Sequence, residues 1–183
     1  MVASWPGFSS ERRTVIAEDY FAKLPLFTRI SLRILVIMSS ASKVYFFYEK
    51  KDFSLTNIKE LKLFIEHIFR KEKKRLGSIN YIFCSDKRVL EINRTFLKHD
   101  YYTDIITFDL SEGPETTAEV YISVDRVRDN AKTIGASFKS ELHRVIFHGA
   151  LHLCGFKDKK KADQALMRKK EDQYLVLYKN QPK

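Results

Sequence analysis

The chain is 183 residues long and 44% hydrophobic, enough material for a single domain with a substantial core. Lys and Arg total 33 against 23 Asp and Glu, a formal net charge of +10 that favours polyanionic partners such as nucleic acid. With only Cys84 and Cys154, a disulfide framework is excluded and a reducing, cytoplasmic setting is expected.

In chain order, residues 1–37 stand apart. They mix Trp5-Pro6-Gly7, a polar Ser-Ser-Glu-Arg-Arg stretch and an apolar run, Ile30 to Ile37, interrupted by Arg33. That run falls well short of the ~20 residues a membrane-spanning helix needs. Residues 1–37 read as an N-terminal extension, either disordered or upstream of a true start at Met38, and 38–183 as one domain. Val44–Tyr48 is aromatic and β-branched, a strand. Ser54 to Arg75 places Leu55, Ile58, Leu61, Leu63, Phe64, Ile65, Ile68 and Phe69 at helical spacing, capped by Ser54 or Thr56. Ile79 to Cys84 follows as a strand and Asp86 to Phe96 as a helix capped by Asp86. Asp104–Phe108 and Glu119–Val124 are short strands separated by Ser111-Glu112-Gly113-Pro114, which is turn chemistry. Asp125 caps a helix ending near Gly135, Phe138 to Cys154 forms the next, and Lys161 to Tyr178 the last. Strands and helices intermix in an α+β (α/β-like) pattern with a four-stranded sheet.

His148 and His152 lie one turn apart on the Phe138–Cys154 helix, so both imidazoles reach one ion. Gly155 then ends the helix and lets the chain return Asp158 as a third ligand. Two nitrogens, one carboxylate oxygen and an open position describe a catalytic zinc site at a helix C-terminus, whereas structural zinc sites carry four protein ligands. The alternative is that Asp158 is an ordinary turn residue. The spacing also approaches the H-E-x-x-H-x-x-G-x-x-H protease pattern. Gly149, however, occupies the place of the glutamate base, so the ligand set survives and peptidase chemistry does not. Arg144, one turn before His148, is the candidate for phosphate contact, its alternative being an ion pair with Glu141 or Asp104. Lys157, Lys159, Lys160 and Lys161 surround Asp158 and are candidate RNA-phosphate contacts. His143, about 140° around the helix from His148, is set aside as a core or surface histidine, and both cysteines as buried apolar residues. The chain has 14 Phe and one Trp, and no stacking platform for single strands stands out in it.

The run His148-Gly149-x-Leu151-His152-Leu153-x-Gly155-Phe156-x-Asp158 resembles the H-G-x-L-H-L-x-G-Y-D-H motif of the YbeY family, single-strand-specific metallo-endoribonucleases of ribosome maturation. Upstream, Ile92-Asn93, Phe96, Asp100 and Thr103-Asp104-Ile105-Ile106-Thr107-Phe108 resemble another segment of that family, and Glu119-Val120-Tyr121-Ile122-Ser123 one of its strands. The likeness covers roughly residues 38 to 175, in order. It implies a mixed, largely parallel sheet with about five helices. It also implies one zinc per chain, whose bound water is the reactive group, and single-stranded RNA at the maturing 3′ end of small-subunit ribosomal RNA as substrate. The small ribosomal subunit is the implied partner. Two positions depart from the pattern: Asp158 stands where the family mostly has histidine, and Leu97 where it has an arginine. No protein general base is identified, and either water or the ribose 2′-hydroxyl remains open as nucleophile. The competing reading is a ribosome-associated RNA-binding assembly factor with a mainly structural metal.

Overall fold

The aromatic and β-branched runs form a mixed sheet. A computed structural model describes residues 2–4 and 42–181 of the chain. Its strands are β1 (Val2–Ser4), β2 (Val44–Tyr48), β3 (Arg75–Cys84), β4 (Ile105–Asp109) and β5 (Glu115–Ser123), in the order β1-β4-β5-β3-β2. Pairs β2–β3, β3–β5 and β1–β4 are parallel, and only β4–β5 is antiparallel. The four expected strands are therefore present in a mixed, largely parallel sheet, with Val2–Ser4 added beside β4. Apart from that strand, the expectation for residues 1–37 lies outside the described residues.

Among the described residues, five α-helices complete the order: α1 (Ile58–Lys71), α2 (Asp86–Ile92), α3 (Val124–Thr133), α4 (Phe138–Leu153) and α5 (Lys161–Lys179). Several boundaries differ from expectation for local reasons. α1 starts at Ile58 rather than Ser54, because Asn57 adopts a left-handed backbone (φ 56°) that no helix interior tolerates. It ends at Lys71, and Lys73 (φ 56°) turns the chain so that Arg75 opens β3. The aspartates expected as caps yield to the serines before them: Ser85 and Ser123 are still extended, and their hydroxyls accept from Arg88 N and Arg126 N. Asp86 pairs instead with Arg126 (2.6 Å), and Asp125 with Lys50 (3.1 Å). The α2 segment continues past Ile92 as a π-helical turn, Asn93–Leu97.

α1 and α4 cover one face of the sheet, packing Leu61, Phe64, Ile65, Ile146 and Phe147 with Tyr81, Phe83, Val120 and Ile122. α2 covers the other with Val89 and Ile92 against Ile106 and Phe108. Burying each such side chain contributes about 1.5–3 kcal/mol. α4 is buried almost all round, and this places its polar residues in a low-dielectric setting. Among the described residues, no helix is long and apolar enough to cross a membrane.

Candidate metal centre

α4 delivers both histidines. Ser137 caps it, its hydroxyl accepting from Ser140 N. At the other end Gly155 (φ 100°) closes a Schellman turn, with Gly155 N donating to His152 O (2.9 Å) and Phe156 N to Leu151 O (3.1 Å). That turn folds the chain back over the helix end. Asp158 Oδ2 then lies 3.4 Å from His152 Nε2 and 3.8 Å from His148 Nε2. One ligand atom from each of the three residues falls within 4.8 Å of the other two.

The remaining ring nitrogens fix how the imidazoles face. His148 Nδ1 lies 2.7 Å from Glu171 Oε1, and His152 Nδ1 lies 2.9 Å from the Phe156 carbonyl oxygen. A carboxylate and a carbonyl only accept, so each Nδ1 carries the proton and each Nε2 presents a lone pair. Burial pushes His152 down to about 4, which keeps it neutral as a ligand must be. Its Nε2 is buried with no hydrogen-bond partner. An orphaned polar atom of that kind costs about 1–3 kcal/mol, and a cation relieves it. These residues fit zinc: neutral imidazoles and a carboxylate, each imidazole steered by an acceptor behind it.

Glu171 is the functional residue that motif spacing misses. It sits on α5, whose buried stripe is Met167, Glu171, Tyr174 and Leu175. A glutamate at an apolar stripe position is the one sequence signal that marks it. Its second oxygen accepts from Arg144 Nη1 (3.1 Å). Arg144, expected at a phosphate, is ion-paired with Asp172 (2.7 Å), Glu171 (3.1 Å) and Glu141 (3.6 Å). Its guanidinium thus faces carboxylates on α4 and α5, one of the alternatives being the Glu141 pair.

Gly149 has a packing reason. A Cβ there would come 2.9 Å from Ile105 Cδ1 and 3.1 Å from Val120 Cγ1, so glycine lets α4 approach the sheet. Lys157, Lys159, Lys160 and Lys161 are all exposed around Asp158. Leu97 packs against the smaller core cluster, while the cations beside it are engaged locally: Arg94 with Asp100 (2.6 Å) and Lys98 with the Thr95 carbonyl (3.0 Å). His143 is a core residue, its ring 6.1 Å from Phe147 and 4.8 Å from Tyr178. Cys84 and Cys154 are unpaired and buried, and burial pushes both thiols up to about 12.

Comparison with known proteins bears on this arrangement. Residues 46–179 match the family model described as Endoribonuclease YbeY. A Cytophaga hutchinsonii protein named Endoribonuclease YbeY is 47% identical over 137 residues, spanning 74% of this chain and 96% of its own length. A Bacteroides thetaiotaomicron protein of the same name is 45% identical over 132 residues, 71% of this chain and 96% of its own. The solution structure of TM1509 from Thermotoga maritima superposes with a TM-score of 0.53 at 30% identity, covering 74% of this chain and 88% of that one.

Proposed function

The chain belongs to the Endoribonuclease YbeY family, and from that premise we propose that it is a zinc-dependent endoribonuclease specific for single strands. The observation that carries this reading is the convergence of His148, His152 and Asp158 around a buried, partnerless His152 Nε2. His148, His152 and Asp158 would hold the zinc, which when bound would supply Lewis acidity to the cleavage of a phosphodiester. The chain's own groups do the positioning. Glu171 and the Phe156 carbonyl hold the two imidazoles in the ligating tautomer. Exposed Lys157, Lys159, Lys160 and Lys161 hold the phosphates on either side of the bond. Arg144 steadies Glu171 from behind.

The substrate we assign is the maturing 3′ end of small-subunit ribosomal RNA, with a role in ribosome quality control in the cytoplasm and the small subunit as partner. The test combines elemental analysis with cleavage of matched single- and double-stranded RNA by the wild type, His152→Ala and Asp158→Ala. About one zinc per chain, lost in both variants together with at least about a thousandfold of single-strand cleavage, is expected. RNA bound but left intact by zinc-loaded protein overturns the nuclease in favour of an assembly factor. Zinc retained by Asp158→Ala removes that residue from the ligand set.

A further inference from the structure

We propose that Tyr101 and Tyr102 form a base-stacking platform on which single-stranded RNA lies as it approaches the metal ligands. This inference rests on the RNA-cleaving reading above and adds a contact that the motif does not contain. The two residues are adjacent in sequence and 53% and 54% exposed. Exposed aromatic surface forgoes about 25 cal/mol per Å² of burial, so packing alone gives no reason to hold two of them in water.

The backbone that carries them is pinned from several sides. The π-helical turn Asn93–Leu97 ends at Lys98, which is left-handed (φ 58°). Turns of this type recur at functional sites. Buried Asn93 donates from Nδ2 to the Tyr101 carbonyl (2.8 Å), and its own carbonyl accepts from His99 N (3.2 Å). Arg94 binds Asp100 alongside (2.6 Å).

Each ring is also braced. Tyr101 stacks on the His99 imidazole, with centroids 5.2 Å apart and planes 22° from parallel, and its hydroxyl lies 3.1 Å from His99 Nδ1. The Arg126 guanidinium sits 4.8 Å from the Tyr102 centroid, itself fixed by two hydrogen bonds to Asp86 (2.6 and 3.3 Å). Aromatic residues steadied from one side and more than half exposed suit the flat faces of nucleobases, which stack without regard to sequence. The chain's net charge of +10 matches the phosphates that accompany those bases, which favours nucleic acid over a protein partner. Position agrees: at most about 11 Å of chain separates Tyr102 from Ile105. The Ile105 side chain in turn abuts Gly149, next to His148.

The probe is a fluorescein-labelled oligouridylate of about 12 nucleotides, within the usual site size for single-strand readers. It is titrated by anisotropy into the full chain with chelator present, so that it is bound without being cut, and kcat and KM are measured with zinc. The paired Tyr101→Ala and Tyr102→Ala substitutions are expected to weaken binding about 30-fold or more and to raise KM, with kcat and zinc content unchanged. The Tyr101→Phe and Tyr102→Phe pair restores binding, because stacking needs the ring and not the hydroxyl. Wild-type affinity in the alanine pair, with cleavage intact, overturns the platform and leaves the nuclease standing. Unchanged RNA binding with lost association to purified small subunits makes the surface a protein contact and also overturns it. A wild type that neither binds nor cuts single strands overturns both readings.

Discussion

At the α4–α5 corner polar groups are drawn out of water and aimed at one another, whereas in residues 98–104 aromatic rings are held out in it. His152 is 7% exposed and its Nε2 has no partner, while Tyr101 and Tyr102 are each more than half exposed. Both arrangements run against the grain of folding, which buries apolar surface and pairs buried polar atoms. Each persists because surrounding hydrogen bonds over-determine it: Glu171 and the Phe156 carbonyl in one case, Asn93 and Asp86 in the other. Local cost against a well-braced background is a physical signature of a site, and the molecule shows it twice with opposite polarity.

If close packing surrounds α4 while Tyr101 and Tyr102 lie more than half exposed, one charge should act very differently in the two places. Gly149→Glu recreates the glutamate of the protease pattern but drives a carboxylate against Ile105, Val120 and Thr107. A destabilisation of about 3 kcal/mol or more is expected, without peptidase activity. Tyr102→Glu should stay within about 0.5 kcal/mol of wild type in urea unfolding. Equal losses at the two positions would break the contrast.

Glu171 sharpens it at the level of the ligands. Glu171→Ala removes the acceptor behind His148 and is expected to weaken zinc about 10- to 100-fold in a competition titration with a coloured chelator. Unchanged affinity would mean that the imidazole needs no orienting partner.

A smaller effect separates burial from ligation on α4 itself. Burial, aided by Lys139 and Lys179, pushes His143 down to about 4 from its ordinary 6.5. The unfolded chain therefore takes up a proton between those values that the folded chain refuses. His143's contribution is present above about 6.5 and is lost as pH falls toward 4. Between pH 7.5 and pH 5 the wild type should lose about 2 kcal/mol more than His143→Phe, read from urea midpoints. An identical loss in the variant would move the acid sensitivity to other groups.

The three candidate ligands are legible in the sequence because helical spacing and a glycine stop are local rules, and the Schellman turn at Gly155 obeys them. Two strand positions follow for the same reason, Val44–Tyr48 matching to the residue and β4 displaced by one, while β3 and β5 each begin four residues before the expected Ile79 and Glu119. What escapes is whatever depends on a distant partner. Glu171 matters through a hydrogen bond to a residue 23 positions away. Arg144 meets its carboxylates through the docking of α5, and Gly149 owes its identity to Ile105 and Val120 on neighbouring strands. The tyrosines escape for another reason, since exposed aromatics and core aromatics look alike until a fold sorts them.

The last helix grips the rest of the domain at two neighbouring places. Lys170 reaches Glu72 at the end of α1 (2.7 Å), with the Tyr174 hydroxyl donating to the same oxygen, while Glu171 holds His148. Docking of α5 and binding of a cation at the candidate centre would consequently be linked equilibria, each favouring the other by the same factor. A cation bound at His148, His152 and Asp158 would tighten a helix that offers none of those three residues, and any partner that levers α5 away would weaken that binding without touching them.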